Sequence, residues 1–244
     1  MDERALDPYQ IDFVSQLPGT VKYYNRHIIV CSGHSEWPAK IQDEGGFIKA
    51  LSSSINKITE LNAIKLTACD LPAVGDGETI LVFPDRVRIS GLTEDNLENL
   101  INYLRDGIER GLKIESFPKF LILVCGHQNR DNRCGLAAPG VMQKMMNVIE
   151  QFDLTEQVLV SRSSHLGGHK FAGVAVVYPS GNWYGRLTEQ DAANVIKAEC
   201  LDRQPYPALW RGRMGLNEEN QINSAEAAGW IVLDDKDGDE DSSF

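Results

Sequence analysis

Two cysteines and two histidines in the second half of the 244-residue chain have side chains and spacings suited to binding a metal. Cys125 and Cys134 are separated by eight residues, and the polar, Gly- and Asn-containing composition of that segment predicts a surface loop. His165 and His169 flank Gly167-Gly168 in a His-x3-His pair. Because each glycine costs a helix about 1 kcal/mol, we expect this pair on a glycine loop. The four side chains together predict a metal centre.

A single zinc ion and a binuclear [2Fe–2S] cluster are the alternatives for this donor set. Zinc accepts two cysteines and two histidines, but its thiols typically lie about two to four residues apart. A [2Fe–2S] cluster spreads four ligands over two irons, and mixed Cys and His ligation occurs in Rieske centres. Two ferric ions, two sulfides and two thiolates sum to about zero charge, so imidazole ligands should raise the reduction potential above that of an all-thiolate cluster. The loose cysteine spacing favours the cluster over zinc.

The residues around these four are expected to tune such a centre. Three cations that would raise the potential further are Arg130, Arg133 and Lys170. Three backbone N–H groups expected to donate to sulfur are those of Gly126, Gly135 and Gly168. Reduction should raise the histidine pKa values, which would couple an electron to a proton. His127 is an extra candidate ligand, although we expect it to be an ordinary loop residue.

The elements that must position these residues occur twice in the same order. In the first half, periodicity predicts strands at 27–31, 63–68, 79–83 and 87–89, a helix at 47–61 and a final helix from Thr93. In the second half it predicts strands at 119–125, 157–162, 173–178 and 183–185, a helix at 136–152 and a final helix from Thr188. The order β-α-β-β-β-α, with its first two strands parallel, is thioredoxin-like.

Matches at a nearly constant offset support an internal repeat. Pro84 and Thr93 recur 95 residues later as Pro179 and Thr188. The predicted fold class is therefore α/β with two thioredoxin-like domains, the metal centre lying in the second. The predicted organisation is an N-terminal arm at 1–26, a degenerate thioredoxin-like domain at 27–115, a thioredoxin-like ferredoxin domain at 116–202 and a C-terminal extension at 203–244.

Only the second copy carries the full ligand set. The first copy has no counterpart of Cys134, and Asp70 takes the place of His165 at the 95-residue offset. Cys31 and Cys69 lie at equivalent strand ends of the first copy, where a redox pair is conceivable but buried packing is expected. Packing is also expected for Cys200, whereas Arg211 and Arg213 are expected at the surface, within reach of the centre.

Composition limits the partners and the compartment. The net charge of −11 disfavours nucleic acid and anionic membranes, and six acids against one lysine at 234–244 account for −5 of it. No apolar run approaches the ~20 residues of a membrane span. Five scattered cysteines without a secretory signal indicate a reducing compartment, and an acidic N-terminus favours the cytosol over mitochondria.

Several motifs resemble the sucrase/ferredoxin-like family of fungal thioredoxin-like ferredoxins. They are CSGHSEWP at 31–38, Cys125-x8-Cys134-Gly, HLGGHKFAG at 165–173, YPSGNWYG at 178–185 and LWRGRMGL at 209–216. The resemblance extends from about residue 27 to residue 216. It implies a [2Fe–2S] cluster held by the residues matching Cys125, Cys134, His165 and His169.

The expected function is electron transfer by a non-enzymatic carrier, with the histidines as redox-linked proton sites. The expected partners are redox proteins, with a flavoprotein reductase as donor, and the iron–sulfur assembly machinery. A C-terminal Ser242-Ser243-Phe244 partly matches a signal for that machinery, although we expect a solvated, disordered acidic tail there. A structural zinc module remains an alternative. So does a thiol-disulfide oxidoreductase, although no Cys-x-x-Cys is present.

Overall fold

A computed structural model describes residues 11–61 and 63–231. The predicted acidic tail, with Ser242-Ser243-Phe244, lies outside the described residues, as do the first ten residues of the predicted arm. The strands are β1 (Arg26–Cys31), β2 (Ile64–Cys69), β3 (Glu78–Phe83), β4 (Val87–Leu92), β5 (Lys113–Ser116), β6 (Phe120–Cys125), β7 (Val158–Ser163), β8 (Ala175–Tyr178), β9 (Asn182–Tyr184) and β10 (Trp210–Arg213). The helices are α1 (Gly46–Asn56), α2 (Leu97–Asp106), α3 (Asn132–Gln151), α4 (Ala192–Ile196) and α5 (Glu218–Ala227).

The described strands form one mixed sheet of an α/β protein, in the order β10-β9-β8-β6-β7-β2-β1-β3-β4-β5. In the first half, β1 lies between β2, which is parallel to it, and β3, which is antiparallel. In the second half, β6 lies in the same way between parallel β7 and antiparallel β8. The strand orders β2-β1-β3-β4 and β7-β6-β8-β9 are therefore equivalent, although they belong to a continuous sheet.

The two halves of the sheet meet at the last residues of β2 and β7, which run antiparallel. Cys69 pairs with Ser163, and the backbone N–H of Ser164 donates to the carbonyl of Ala68 at 2.8 Å. Cys69 also pairs with Cys31 of β1, and Ser163 pairs with Cys125 of β6. The carboxyl ends of the four central strands thus lie along one line across the sheet.

Most predicted elements are present with shifted ends. Helix α3 begins at Asn132, earlier than the predicted residue 136, because the Asp131 side chain caps it by accepting the backbone N–H of Arg133 at 3.0 Å. Its buried stripe includes Val141, Met145 and Ile149. Thr93 and Thr188 each form a capping box at the start of a short 3-10 turn that leads into α2 and α4. The predicted N-terminal signals are therefore confirmed.

Two edge strands and one helix were not predicted. β5 pairs with β4, while β10 pairs with β9 and comes from the segment assigned to a C-terminal extension. Helix α5 follows it, and its Gln221 donates to the carbonyl of Val21 at 2.9 Å. These short or weakly amphipathic segments gain their stability from the sheet and from the N-terminal segment. Within 11–61 and 63–231, no helix has both the length and the apolarity to cross a bilayer.

A buried hydrogen-bond chain links both halves of the sheet to the N-terminal segment. Trp183 donates to the Tyr24 hydroxyl at 2.7 Å, which lies 3.1 Å from the Tyr178 hydroxyl. Tyr178 lies 2.6 Å from Nδ1 of His27, whose Nε2 lies 2.8 Å from the Thr67 hydroxyl. Burial, followed by the charge of Lys65, holds the pKa of His27 well below its ordinary value. The imidazole is therefore neutral in the folded protein.

This neutrality predicts a specific loss of stability in mild acid. In the unfolded chain His27 takes up a proton near its ordinary pKa of about 6.5, while the folded chain resists protonation. Between pH 6.5 and pH 5 the wild type should therefore lose about 1–2 kcal/mol of unfolding free energy that His27→Gln does not lose. Urea denaturation at each pH measures the difference.

The matched control is His34→Gln, because His34 is 42% exposed and pairs with Glu44 at the surface. That variant removes an exposed pair worth about 0–1 kcal/mol, so the pH-dependent loss assigned to His27 should remain. Parallel pH profiles for the wild type and His27→Gln would contradict the assignment of a buried neutral histidine.

Candidate metal centre

The two thiols of the candidate centre are buried and adjacent. Cys125 is the last residue of β6 and Cys134 lies in the first turn of α3, and each is 1% exposed. The predicted loop between them is thus shorter than expected, because α3 begins before Cys134. A hydrogen bond from the Cys134 thiol, with further ones from the His165 imidazole and the backbone N–H groups of Leu166 and His127, holds the pKa of Cys125 well below its usual value against burial. The same pairing raises the pKa of Cys134.

The two histidines lie next to this thiol pair on the loop after β7, as the glycine spacing predicted. The imidazole rings of His165 and His169 have centroids 6.0 Å apart. Nδ1 of His165 is buried and has no hydrogen-bond partner among the described residues. His169 is half exposed, and its Nδ1 lies 3.9 Å from the Asp131 carboxylate. One histidine therefore faces inward and the other faces solvent.

His127 lies in the loop between β6 and α3, as the sequence predicted, and its side chain is buried there. It is 1% exposed, and its Nδ1 accepts the backbone N–H of His165 at 3.0 Å. Because Nδ1 is an acceptor, Nε2 carries the proton and donates to the carbonyl of Trp37 at 3.2 Å. His127 thus connects the loop after β6 to the loop after β7. The sequence signal for this role was only its position between the two cysteines.

Two of the three backbone N–H groups predicted to donate to sulfur donate elsewhere. The N–H of Gly126 donates to the carbonyl of Ser163 at 3.0 Å, and that of Gly135 donates to the carbonyl of Asp131 at 3.4 Å. Neither is therefore directed at sulfur. Leu166 and His127 supply the backbone donors to Cys125 instead.

Two of the three predicted cations are engaged by carboxylates. Arg133 pairs with Asp131 at 2.8 Å, and Lys170 pairs with Asp12 at 3.1 Å. Their charges are therefore largely neutralised where they lie. Arg130, which lies in the same loop as His127, is exposed.

Arg211 was expected at the surface and is instead buried at 2% exposure. Its guanidinium donates to the hydroxyl and carbonyl of Thr20, both at 3.0 Å, and to the carbonyl of Gly167 at 3.2 Å. Partners from the N-terminal segment and the histidine loop make this burial possible, and no local pattern in the sequence indicated them. Arg213, on the same strand, is exposed as predicted.

Lys65 of β2 is a second cation at the histidine loop that sequence reasoning missed. Its Nζ donates to the carbonyl of Leu166 at 2.6 Å and lies 5.1 Å from the centroid of the Trp183 ring. Burial lowers the pKa of Lys65 to about 8. The sequence feature that could have indicated this role is the position of the lysine between Ile64 and Leu66 in an apolar strand.

The remaining cysteines are buried, as expected. Cys31 and Cys69 are 3% and 0% exposed and are register partners on β1 and β2. Cys200 is 4% exposed in the core beneath α3 and α4. The register aligns Cys69 with Ser163, so Asp70 corresponds to Ser164 and not, as predicted from the 95-residue offset, to His165. The Asp70 carboxylate accepts the Ser161 hydroxyl at 2.6 Å and the Arg162 N–H at 3.0 Å. The first half thus uses this position to hold β7.

These features define a mixed α/β protein whose central strands end at a buried thiol pair next to a histidine pair. The chain belongs to the sucrase/ferredoxin-like family, whose model matches residues 17–212. The resemblance seen in the sequence motifs is therefore confirmed.

Fungal proteins align with between about half and most of this chain. Altered inheritance of mitochondria protein 32 of Debaryomyces hansenii is 26% identical in an alignment that covers 84% of this chain and 88% of that protein. Actin patches distal protein 1 of Saccharomyces cerevisiae is 23% identical in an alignment that covers 54% of this chain and 49% of that protein. Among solved structures, a thioredoxin-like [2Fe–2S] ferredoxin from Aquifex aeolicus aligns with 39% of this chain and 93% of its own, at 20% identity and a TM-score of 0.35.

The contact between the histidine loop and Arg211 predicts a large cost for a side chain at Gly168. Gly168 has φ 77, and a Cβ there would overlap the Arg211 guanidinium. Gly168→Ala should therefore lower the unfolding free energy by about 2–4 kcal/mol, through backbone strain and the displaced guanidinium together. Urea denaturation measures this loss.

Gly107→Ala is the matched control. Gly107 has φ 73, and a Cβ there would meet no atom of the described residues within 4 Å, so only the strain of about 1–2 kcal/mol should remain. Equal losses of unfolding free energy in the two variants would contradict the close contact between Gly168 and the Arg211 guanidinium.

Proposed function

We propose that this protein is an electron carrier that binds a [2Fe–2S] cluster through Cys125, Cys134, His165 and His169. In this proposal the two cysteines ligate one iron and the two histidines ligate the other. The observation that carries it is the pairing of the donors, with two adjacent buried thiols beside two neighbouring imidazoles.

The donor set suits a binuclear group better than a single ion. Among the residues that the structure describes, no group of three or more His, Cys, Asp and Glu side chains is arranged to hold a metal ion, so the preference for two irons rests on the donor types and on the loose spacing of the two cysteines. A structural zinc site would bring four donors to one point, whereas a [2Fe–2S] cluster requires two pairs. The buried Nδ1 of His165, which has no partner in the described chain, is a further argument for a ligand at this position.

When bound, a [2Fe–2S] cluster supplies reversible one-electron transfer. The chain's own contribution is to keep the donors in the form that binds metal. The N–H groups of Leu166 and His127 stabilise the Cys125 thiolate, and the Coulomb attraction between Cys125 and Arg211 acts in the same direction. The N–H of His165 is held by His127, which fixes the start of the histidine loop.

The histidines differ in their access to protons. His169 has 47% of its side chain exposed, so its ring can exchange a proton with solvent when the charge of the centre changes. His165 is more enclosed, and its Nδ1 is out of contact with solvent. We therefore assign proton-coupled behaviour mainly to His169.

The wider proposal covers organisation, partners and compartment. We propose that the equivalent strand orders of the two halves are copies of one thioredoxin-like domain, of which only the second binds a cluster. Five free, buried cysteines support a reducing compartment, which we propose to be the cytosol. A flavoprotein reductase as electron donor and the iron–sulfur assembly machinery are the proposed partners.

The cluster has a direct optical test. Protein purified without oxygen should be red-brown, with visible bands that dithionite bleaches and about two irons and two acid-labile sulfides per chain. Cys134→Ser should lose these bands, while Cys200→Ser, in the core away from the centre, should keep them. A colourless wild type with one zinc per chain and no labile sulfide would contradict the electron-carrier proposal and support a structural zinc module.

Histidine ligation has its own electrochemical signature. His169→Cys replaces a neutral ligand with a thiolate, so the midpoint potential should fall by on the order of 100 mV and its pH dependence should flatten. Protein-film voltammetry between pH 6 and pH 9 measures both quantities. The control His34→Cys places a thiol at a surface histidine and should leave both unchanged. An unaltered potential in His169→Cys would remove His169 from the ligand set.

A further inference from the structure

A cavity of about 400 Å³ lies beside His165 and is separate from the thiols. Its walls come from five segments: Thr20–Lys22, Lys65, His165–Gly168, Trp183 and Arg211. Cys125, Cys134 and His169 are not part of its lining. A volume of this size falls within the range of about 300–1,000 Å³ that small-molecule sites occupy.

The cavity is lined by cations whose donors are only partly used. Arg211 donates to three neutral oxygens, and Lys65 donates to the single carbonyl of Leu166. Neither forms an ion pair with a carboxylate in the described parts of the chain. A guanidinium has five N–H donors and an ammonium has three, so both retain donors for a ligand. Lys22, which is exposed, adds a third positive charge at the rim.

This concentration of charge is unexpected in a chain with a net charge of −11. The Cys125 thiolate offsets only part of the cost of burying these two cations, and an anion that accepts their free N–H donors would offset more of it. The surrounding carbonyls of Thr20, Leu166 and Gly167 orient the two cations without neutralising them.

We propose that this cavity binds a small molecule through a carboxylate or phosphate group held between Lys65 and Arg211. The anion lies next to His165, at the edge of the candidate metal centre. The site adjoins the proposed cluster, since His165 lines the cavity, but none of the thiols does, and its occupancy can be measured whether or not metal is present.

Isothermal titration of the full chain, as purified, tests the site with two probes. Sodium phosphate and sodium citrate are titrated separately at a constant ionic strength set with sodium chloride. We expect one saturable site per chain for at least one of them. Lys65→Gln should weaken that binding by about tenfold or more, as loss of a charge-assisted hydrogen bond does. The control Lys49→Gln, at an exposed position on α1, should stay within about twofold of the wild type.

Lys22→Gln is the second variant, because its exposed position leaves the fold intact. It should weaken binding by about threefold through the loss of a rim charge. Saturation with phosphate alone assigns a phosphate group to the ligand, and saturation with citrate alone assigns a carboxylate. Heats that never saturate for either probe, or wild-type affinities in both Lys65→Gln and Lys22→Gln, would overturn the proposal.

Discussion

The pairing of the last residues of β2 and β7 is the contact on which the candidate site depends. Cys69 faces Ser163 there, and flanking backbone hydrogen bonds join two parallel strand pairs into one sheet. Because the two strands run antiparallel, the carboxyl ends of both pairs are brought to the same line. Loops that leave strand ends carry ligands in many α/β proteins, and here the ends of both halves contribute to one region.

A consequence of this junction is that residues of the first half serve the second. The ammonium group of Lys65 on β2 donates a hydrogen bond to the carbonyl of Leu166 in the histidine loop. The carbonyl of Trp37 accepts a hydrogen bond from Nε2–H of His127. The N-terminal segment adds Thr20, which orients Arg211. The electrostatics around the second half's donors are therefore set largely by segments far away in sequence. A second half cut out on its own would lose the Lys65 charge and the Thr20 oxygens that orient Arg211.

The sequence predicted what local patterns control and missed what distant contacts control. The strands around Cys125 and the loop of His165 were predicted because apolar runs and glycines act locally. The burial of His127 and Arg211 was not predicted, since each depends on partners about 40 to 190 residues away, such as the Thr20 hydroxyl and the N–H of His165. Strand β10 was missed for the same reason, because four residues become a strand only beside β9. The candidate ligands were predicted from residue types and spacing alone, because both are given by the sequence without knowledge of the fold.

The two halves differ in the residues that follow their equivalent strands β2 and β7. The register aligns Cys69 with Ser163, so Asp70 corresponds to Ser164, and its carboxylate accepts hydrogen bonds from Ser161 and Arg162 of β7. Asp70 therefore fastens the two halves together, while the position equivalent to His165 holds Leu71, whose side chain cannot ligate a metal. Cys31 likewise faces Cys69 across adjacent strands instead of a second thiol on a helix. Under the proposed duplication, the segment after β2 therefore serves assembly of the sheet, whereas the loop after β7 carries the histidines proposed as ligands.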